Sequence, residues 1–234
     1  MSAAGPRRDR PVIISEIFGP TVQGEGPSLG RRCGFVRLGR CNLACSFCDT
    51  PFTWRWTDHD PAVELRDASV DEIVTRLDTM AVDMVVISGG EPLVQQRELK
   101  PLVDAVRVER RWRIEVETAG TIAPLLDVDQ WNVSPKLANS GNPRDRRYKP
   151  DVLQALAATG RAVFKFVVVD PADLDEIASI VEDNGLTNVW LMPEGTDATT
   201  LAQRMAWVAP AAVDRGWNVT TRLHILIWGD ERGR

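Results

Sequence analysis

From residue 12 onward, short apolar runs alternate with longer amphipathic ones. The runs at 12–18, 34–38, 84–88, 113–117, 131–133, 162–169, 188–192 and 218–220 read as strands. Helical periodicity fills 95–108, 151–158, 172–184 and 199–208, and Ser69 with Glu72 forms a capping box that opens a further helix through Met80. A βα repeat of this kind predicts a parallel sheet wrapped by helices. The polar motifs follow the strands: SGGEP (88–92), ETAGT (117–121), SPK (134–136) and MPEG (192–195) each sit at the end of one. In such sheets ligands bind beyond the carboxyl ends of the strands, so these groups are expected to meet in a single pocket. A complete eightfold barrel takes about 250 residues. This chain of 234 spends part of its length on a cysteine loop. The expected fold class is therefore α/β, a partial or modified (β/α) TIM-type barrel in a single domain over 12–234, with 1–11 as a disordered N-terminal tail.

Composition narrows the function. With 44% apolar and 26% charged residues the chain supports one good core. Residues 1–11 contain no apolar signal-like stretch, and nowhere is there a run of roughly 18 apolar residues, so a soluble, cytoplasmic protein is expected. A net charge of −5 without a long basic run offers no footprint for nucleic acid or an anionic membrane, which leaves a small-molecule substrate. Four cysteines do not make a disulfide framework in a chain of this size; clustered thiols point to metal binding or catalysis.

Three of those cysteines fall in CNLACSFCDT, residues 41–50, as Cys41, Cys45 and Cys48. Thiolates at C-x3-C-x2-C can hold three irons of a 4Fe-4S cluster and leave the fourth iron open. They can equally form most of a structural zinc site, which needs a closed tetrahedral set and could recruit Cys33 or His59. Spacing alone leaves both readings standing, and Cys33 is otherwise a small buried hydrophobe.

The cysteine triplet followed by Gly89-Gly90-Glu91-Pro92 at a strand end is similar to the radical S-adenosylmethionine superfamily, and this resemblance favours iron-sulfur over zinc. There the amino and carboxylate groups of S-adenosylmethionine chelate the open iron, and the glycine pair lets backbone approach the cofactor. The stretch EIFGPTVQGEGPSLGRRCGFVRLGRCNLACSFCDT (16–50) further resembles the 7-carboxy-7-deazaguanine synthase family. The likeness continues through SGGEP, ETAGT, SPK, FKFVV (164–168), LMPEG (191–195) and RLHILIWGDERG (222–233).

That resemblance implies conversion of 6-carboxy-5,6,7,8-tetrahydropterin to 7-carboxy-7-deazaguanine by radical ring contraction with loss of ammonia, in queuosine-type 7-deazapurine biosynthesis. The implied cofactors are a 4Fe-4S cluster on Cys41, Cys45 and Cys48, S-adenosylmethionine, and Mg2+ on the Thr50 hydroxyl. Carried over by position, Val22, Gln23, Gly24 and Glu25 face the pterin, with Arg37, Ser88 and His224 meeting the substrate or its carboxylate. Gly90, Glu117, Ser134, Pro135, Lys136, Met192, Pro193, Glu194 and Gly195 surround S-adenosylmethionine. ETAGT departs from the family's more usual ETNGT, so Ala119 cannot make the side-chain hydrogen bond of that asparagine. The resemblance also implies a homodimer.

Weaker signals remain. Read alone, Arg37 fits a structural ion pair, and His224, between Leu223 and Ile225, fits a satisfied core histidine. His59 reads as a loop residue. The basic segment 139–150 is expected to be a solvated loop, available to dock an acidic, flavodoxin-like electron donor. Trp54 and Trp56 are expected to pack over the cluster and tune its potential. Two other functions share part of the pattern: a glycyl-radical-enzyme activating enzyme, which lacks the QGEG and terminal histidine motifs, and a non-catalytic zinc-binding interaction module.

Overall fold

The computed structural model describes residues 10–234; the tail expected over 1–11 lies almost wholly outside them. Nine strands form one sheet: β1 (Val12–Val22), β2 (Arg32–Leu38), β3 (Arg66–Ala68), β4 (Met84–Gly89), β5 (Arg113–Thr118), β6 (Gln130–Val133), β7 (Ala162–Val168), β8 (Val189–Pro193) and β9 (Asn218–Val219). Their order is β3-β1-β2-β4-β5-β6-β7-β8-β9. β1 pairs antiparallel with β2 and β3, and every pair from β2 to β9 is parallel. The parallel strands thus follow one another in chain order, and the sheet does not close, since β3 and β9 stand at its edges.

The helices are α1 (Pro61–Glu64), α2 (Val70–Asp78), α3 (Gln96–Ala105), α4 (Arg144–Arg147), α5 (Pro150–Ala158), α6 (Asp173–Asn184), α7 (Ala198–Asp214) and α8 (Leu223–Trp228). Ser69 caps α2, its side chain accepting from the Glu72 amide at 3.1 Å, which is half of the expected capping box. Helix α7 runs six residues past its expected end at 208 and contains Pro210. Leu201, Val208 and Ala212 continue one buried stripe through it, so packing outweighs the proline's preference against a helix interior.

Strand alternation sorts the residues into two faces. Ile114 and Val116, Trp131 and Val133, and Phe164, Phe166 and Val168 share the main core with Ile73 and Leu77 of α2, Leu102 of α3, Leu156 of α5, Ile177 of α6 and Val208 of α7. The intervening positions therefore point to the other face. Near the amino ends they make a small apolar cluster of Phe18, Cys33, Phe35, Met84 and Val86. Elsewhere they are polar yet buried: Ser88, Glu115, Asn132 and Lys165. Most of these buried polar groups find their partners within the protein, as buried polar groups must: Glu115 accepts from Ser28, Arg113 and Asn132, and Lys165 pairs with Glu25.

Three features were not legible beforehand. Strand β1 extends to Val22 through a register irregularity between Phe18 and Thr21, delivering the QGEG segment to the polar face. Strand β3 is a short charged edge strand. Helix α8 follows β9 directly and returns toward β1, with the Leu223 amide donating to the Gly24 carbonyl at 2.8 Å.

Candidate functional site

The loop after β2 places Cys41, Cys45 and Cys48 on the wall of an open pocket of about 200 Å³. Burial pushes the Cys41 thiol up to about 12 and raises that of Cys45 as well. Neither candidate for a fourth zinc ligand joins them. Cys33 is fully buried in the apolar cluster near the amino ends of the strands, and His59 faces Glu64 at 3.8 Å and the edge of Phe52. Among the described residues no three His, Cys, Asp or Glu side chains are arranged to hold a single metal ion. The closed tetrahedral set that zinc needs is therefore not assembled, whereas three thiols around one pocket suit a cluster that spreads its irons.

The glycine pair at the end of β4 has a structural requirement of its own. A Cβ on Gly90 would lie 2.1 Å from the Arg40 carbonyl oxygen and 2.9 Å from Cys41 Cβ, and one on Gly89, at φ +130°, 2.3 Å from the Leu38 oxygen. Both glycines are needed so that β4 can lie against the start of the cysteine loop. The Gly90 and Glu91 amides then donate to the Leu38 and Arg40 carbonyls at 3.2 and 2.9 Å. Glu91, fully buried, accepts from the Leu93 amide at 3.1 Å, and from the Thr118 hydroxyl and the Ala119 amide, each at 2.8 Å. SGGEP and ETAGT are thereby locked to the loop, and the backbone of Ala119 retains a partner even without an asparagine side chain.

Across the pocket lies a buried charge network that centres on Glu25. Its carboxylate pairs with Lys165 and, at 3.2 Å, with Arg222 Nε. Arg222 also pairs with Asp49 and donates to the Gly195 carbonyl at 2.8 Å. Burial opposes ionisation of Glu25, but Lys165 and Arg222 overcome it and hold the carboxyl well below the usual range. Burial likewise opposes the charge on Lys165, and Glu25 and Glu117 more than restore it. Glu117 is different: burial raises its pKa, with Lys165 opposing, and Gln23 Nε2 donates to it at 3.3 Å.

Val22, Gln23, Gly24, Glu25, Arg37, Ser88 and His224 all line a smaller pocket of about 70 Å³. Its wall is shared with the larger one through Glu25, Arg37, Asp49, Ser88 and Glu117. Ser88 Oγ is buried with no hydrogen-bond partner, an orphan aimed where both pockets meet. Arg37 does form the ion pair that its strand position suggested, with Nε 2.8 Å from Glu16, while still lining both pockets. His224 packs against the backbone of Gly24, and burial lowers its pKa, so the imidazole is held neutral.

Of the candidates for S-adenosylmethionine, Gly90, Glu117, Ser134, Lys136, Met192 and Glu194 line the larger pocket, as does Thr50. Pro135, Pro193 and Gly195 do not line it. Lys136 donates to the Ser134 hydroxyl at 2.8 Å, and Glu194 pairs with Arg204. Two residues, Lys165 and Arg222, lie in the motifs FKFVV and RLHILIWGDERG but carry no assigned role in the sequence reading, and both are part of this wall. The signal for Lys165 was a lone cation between Phe164 and Phe166 in a buried strand; Arg222 carried no local signal.

The basic segment 139–150 is more structural than a solvated loop. Arg147 is buried, pairs with Glu176 at 2.6 Å and donates to the Lys136 and Asn142 carbonyls. Asn142 reaches the cysteine loop, accepting from the Ala44 amide at 2.9 Å. Arg144, Arg146 and Lys149 remain exposed. No helix among the described residues is long and apolar enough to cross a membrane.

Residues 22–134 match the family described as a 4Fe-4S single cluster domain. A 7-carboxy-7-deazaguanine synthase from Pyrobaculum aerophilum is 38% identical over 231 residues, covering 95% of this chain and 97% of its own. The protein of the same name from Bacillus subtilis is 31% identical, covering 95% of this chain and 98% of its own. Among solved structures, QueE from Escherichia coli superposes with a TM-score of 0.70 at 26% identity, over 91% of this chain and 94% of that one. SuiB from Streptococcus suis, at a TM-score of 0.52 and 16% identity over 78% of this chain and 47% of its own, is similar in fold alone.

Proposed function

The chain belongs to the 7-carboxy-7-deazaguanine synthase family, and from that premise we propose that it converts 6-carboxy-5,6,7,8-tetrahydropterin to 7-carboxy-7-deazaguanine with release of ammonia, in 7-deazapurine biosynthesis of the queuosine type. The observation that carries the reading is the shared wall between the two pockets: the three thiols lie on one side of it and the residues proposed to face the pterin on the other.

Cys41, Cys45 and Cys48 would hold three irons of a 4Fe-4S cluster, and S-adenosylmethionine would lie along Gly90, Glu117, Ser134, Lys136, Met192 and Glu194. Bound there, the reduced cluster and S-adenosylmethionine would supply the radical chemistry that starts the reaction. The protein's own residues bind and orient. Val22 to Glu25 read the pterin edge through backbone, amide and carboxylate, which match its donors and acceptors. Ser88 Oγ gains the partner it lacks. Arg37 offers a guanidinium fork to the substrate carboxylate, exchanging or sharing its ion pair with Glu16. Neutral His224 can accept or donate one hydrogen bond in the same pocket.

Thr50, buried at the pocket wall, would place its hydroxyl on Mg2+, with substrate oxygens and water completing the coordination. The open sheet with sequential parallel strands supports a partial (β/α) barrel formed by a single domain over 12–234, its substrate site completed by the C-terminal segment. A cytoplasmic homodimer fits the exposed Leu29, Leu226 and Ile227. Arg144, Arg146 and Lys149 are the exposed cations left to meet an acidic electron donor such as a flavodoxin.

The test is an anaerobic reaction of cluster-reconstituted protein with dithionite, S-adenosylmethionine, Mg2+ and the tetrahydropterin, read by mass spectrometry. The expected result is 7-carboxy-7-deazaguanine, formed only when the cluster is intact. Cleavage of S-adenosylmethionine without this product would send the assignment to the activation of a protein partner.

A further inference from the structure

Each cysteine sulfur of the loop accepts one N–H, and each donor comes from a different source. Cys41 Sγ takes the Leu43 amide at 3.4 Å, Cys45 Sγ the Asn142 Nδ2 at 3.3 Å, and Cys48 Sγ the Trp54 Nε1 at 3.2 Å. Only the first is built into the loop backbone. Cys48 Sγ also has the Thr50 hydroxyl at 3.7 Å.

Asn142 is held for this contact from 97 positions along the chain. Its Oδ1 accepts from the Ala44 amide at 2.9 Å, which fixes the amide so that Nδ2 faces the sulfur. The Ser140 hydroxyl takes a second bond from Nδ2 at 3.2 Å, and buried Arg147 grips the Asn142 carbonyl at 3.1 Å while pairing with Glu176. Trp54 is placed by the helical turn Pro51–Thr53 that follows the loop, its ring covered by the Arg55 guanidinium at 5.0 Å. Neither donor is needed to satisfy a buried thiol, which is a weak acceptor; both become strong interactions once the sulfur is a thiolate.

We propose that Asn142 and Trp54 set the reduction potential of the cluster by donating hydrogen bonds to the sulfurs of Cys45 and Cys48. The proposal rests on the iron-sulfur reading of the loop. A reduced cluster carries one more negative charge than an oxidised one, so an N–H aimed at a ligand sulfur stabilises the reduced form more and raises the potential. Losing one donor makes reduction less favourable by about tenfold, the order of one hydrogen bond's net contribution, which is about 59 mV for a one-electron couple.

The experiment is a potentiometric titration of anaerobically reconstituted protein, followed by the electron paramagnetic resonance signal of the reduced cluster. Trp54→Phe keeps the ring and removes the N–H. Asn142→Asp keeps an oxygen for Ala44 and removes the donor to Cys45. Trp56→Phe alters an exposed ring that bonds no sulfur and serves as the control. With iron content equal to the parent protein, Trp54→Phe and Asn142→Asp titrate at lower potential and Trp56→Phe does not. Trp54→Phe with full iron content and an unchanged potential overturns the proposal, even if Asn142→Asp loses its cluster. A parent protein that shows no 4Fe-4S signal at all overturns the iron-sulfur reading instead.

Discussion

The imidazole of His224 fills the space that a side chain on Gly24 would need: a Cβ there would lie 2.0 Å from His224 Nδ1. Residues 200 positions apart are thus fitted to one another at the substrate pocket, and the Leu223 amide bond to the Gly24 carbonyl fixes the start of α8 at the same point.

Gly24→Ala is therefore expected to displace the imidazole, whose ring atoms are what the added Cβ would meet. Steady-state kinetics should show KM for the pterin raised about tenfold or more, with cluster content unchanged. Combining it with His224→Ala should recover packing but not substrate affinity, a non-additive pair.

Arg222 ties Glu25, Asp49 and the Gly195 carbonyl together from a buried position. Arg222→Met leaves Asp49 and the Gly195 carbonyl without this cation and Glu25 with Lys165 alone. Breaking one side of a buried ion pair costs about 3–5 kcal/mol, so thermal denaturation should fall by roughly 10 °C for a chain of this size. Arg222→Lys should restore only part of it, since an ammonium cannot reach three partners with a planar fork.

Glu25 gives a pH signature. Its folded pKa lies below its unfolded value because Lys165 and Arg222 outweigh the cost of burial. Its contribution is fully present above the unfolded carboxylate value of about 4.3 and is lost as pH falls toward the folded one. Glu25→Gln should destabilise the protein at pH 7, and the gap from the parent should shrink below pH of about 4. Denaturant titrations at pH 7, 5 and 3.5 check this; a gap independent of pH would remove the ionised pair.

Thr50→Ala tests the proposed magnesium ligand. The expected outcome is a rightward shift of the Mg2+ activation curve by about tenfold or more, the scale on which neighbouring groups tune metal affinity. An identical curve would contradict the assignment.

The strand ends, the cysteine loop and the meeting of SGGEP, ETAGT, SPK and MPEG on one face were legible because apolar alternation and motif position both depend on local sequence. What was hidden depends on distant contacts. Lys165 looks like a misplaced cation until Glu25 and Glu117 are brought against it, and Arg222 acquires meaning only when α8 returns to β1. The glycine pair was recognised for its place beside the pocket, yet its strictest requirement is the Arg40 carbonyl, which no spacing rule reveals. Arg147 was read as a surface charge because its burial is set by Glu176, 29 positions away.

The most direct measurement follows 7-carboxy-7-deazaguanine and 5′-deoxyadenosine together in one anaerobic reaction of the reconstituted protein. If the three thiols and the pterin-facing residues serve a single reaction in which, as the family resemblance implies, S-adenosylmethionine is regenerated each turn, product accumulates well beyond 5′-deoxyadenosine. Steady formation of 5′-deoxyadenosine with no 7-carboxy-7-deazaguanine would mean that the pocket between Gly24 and His224 receives a different substrate.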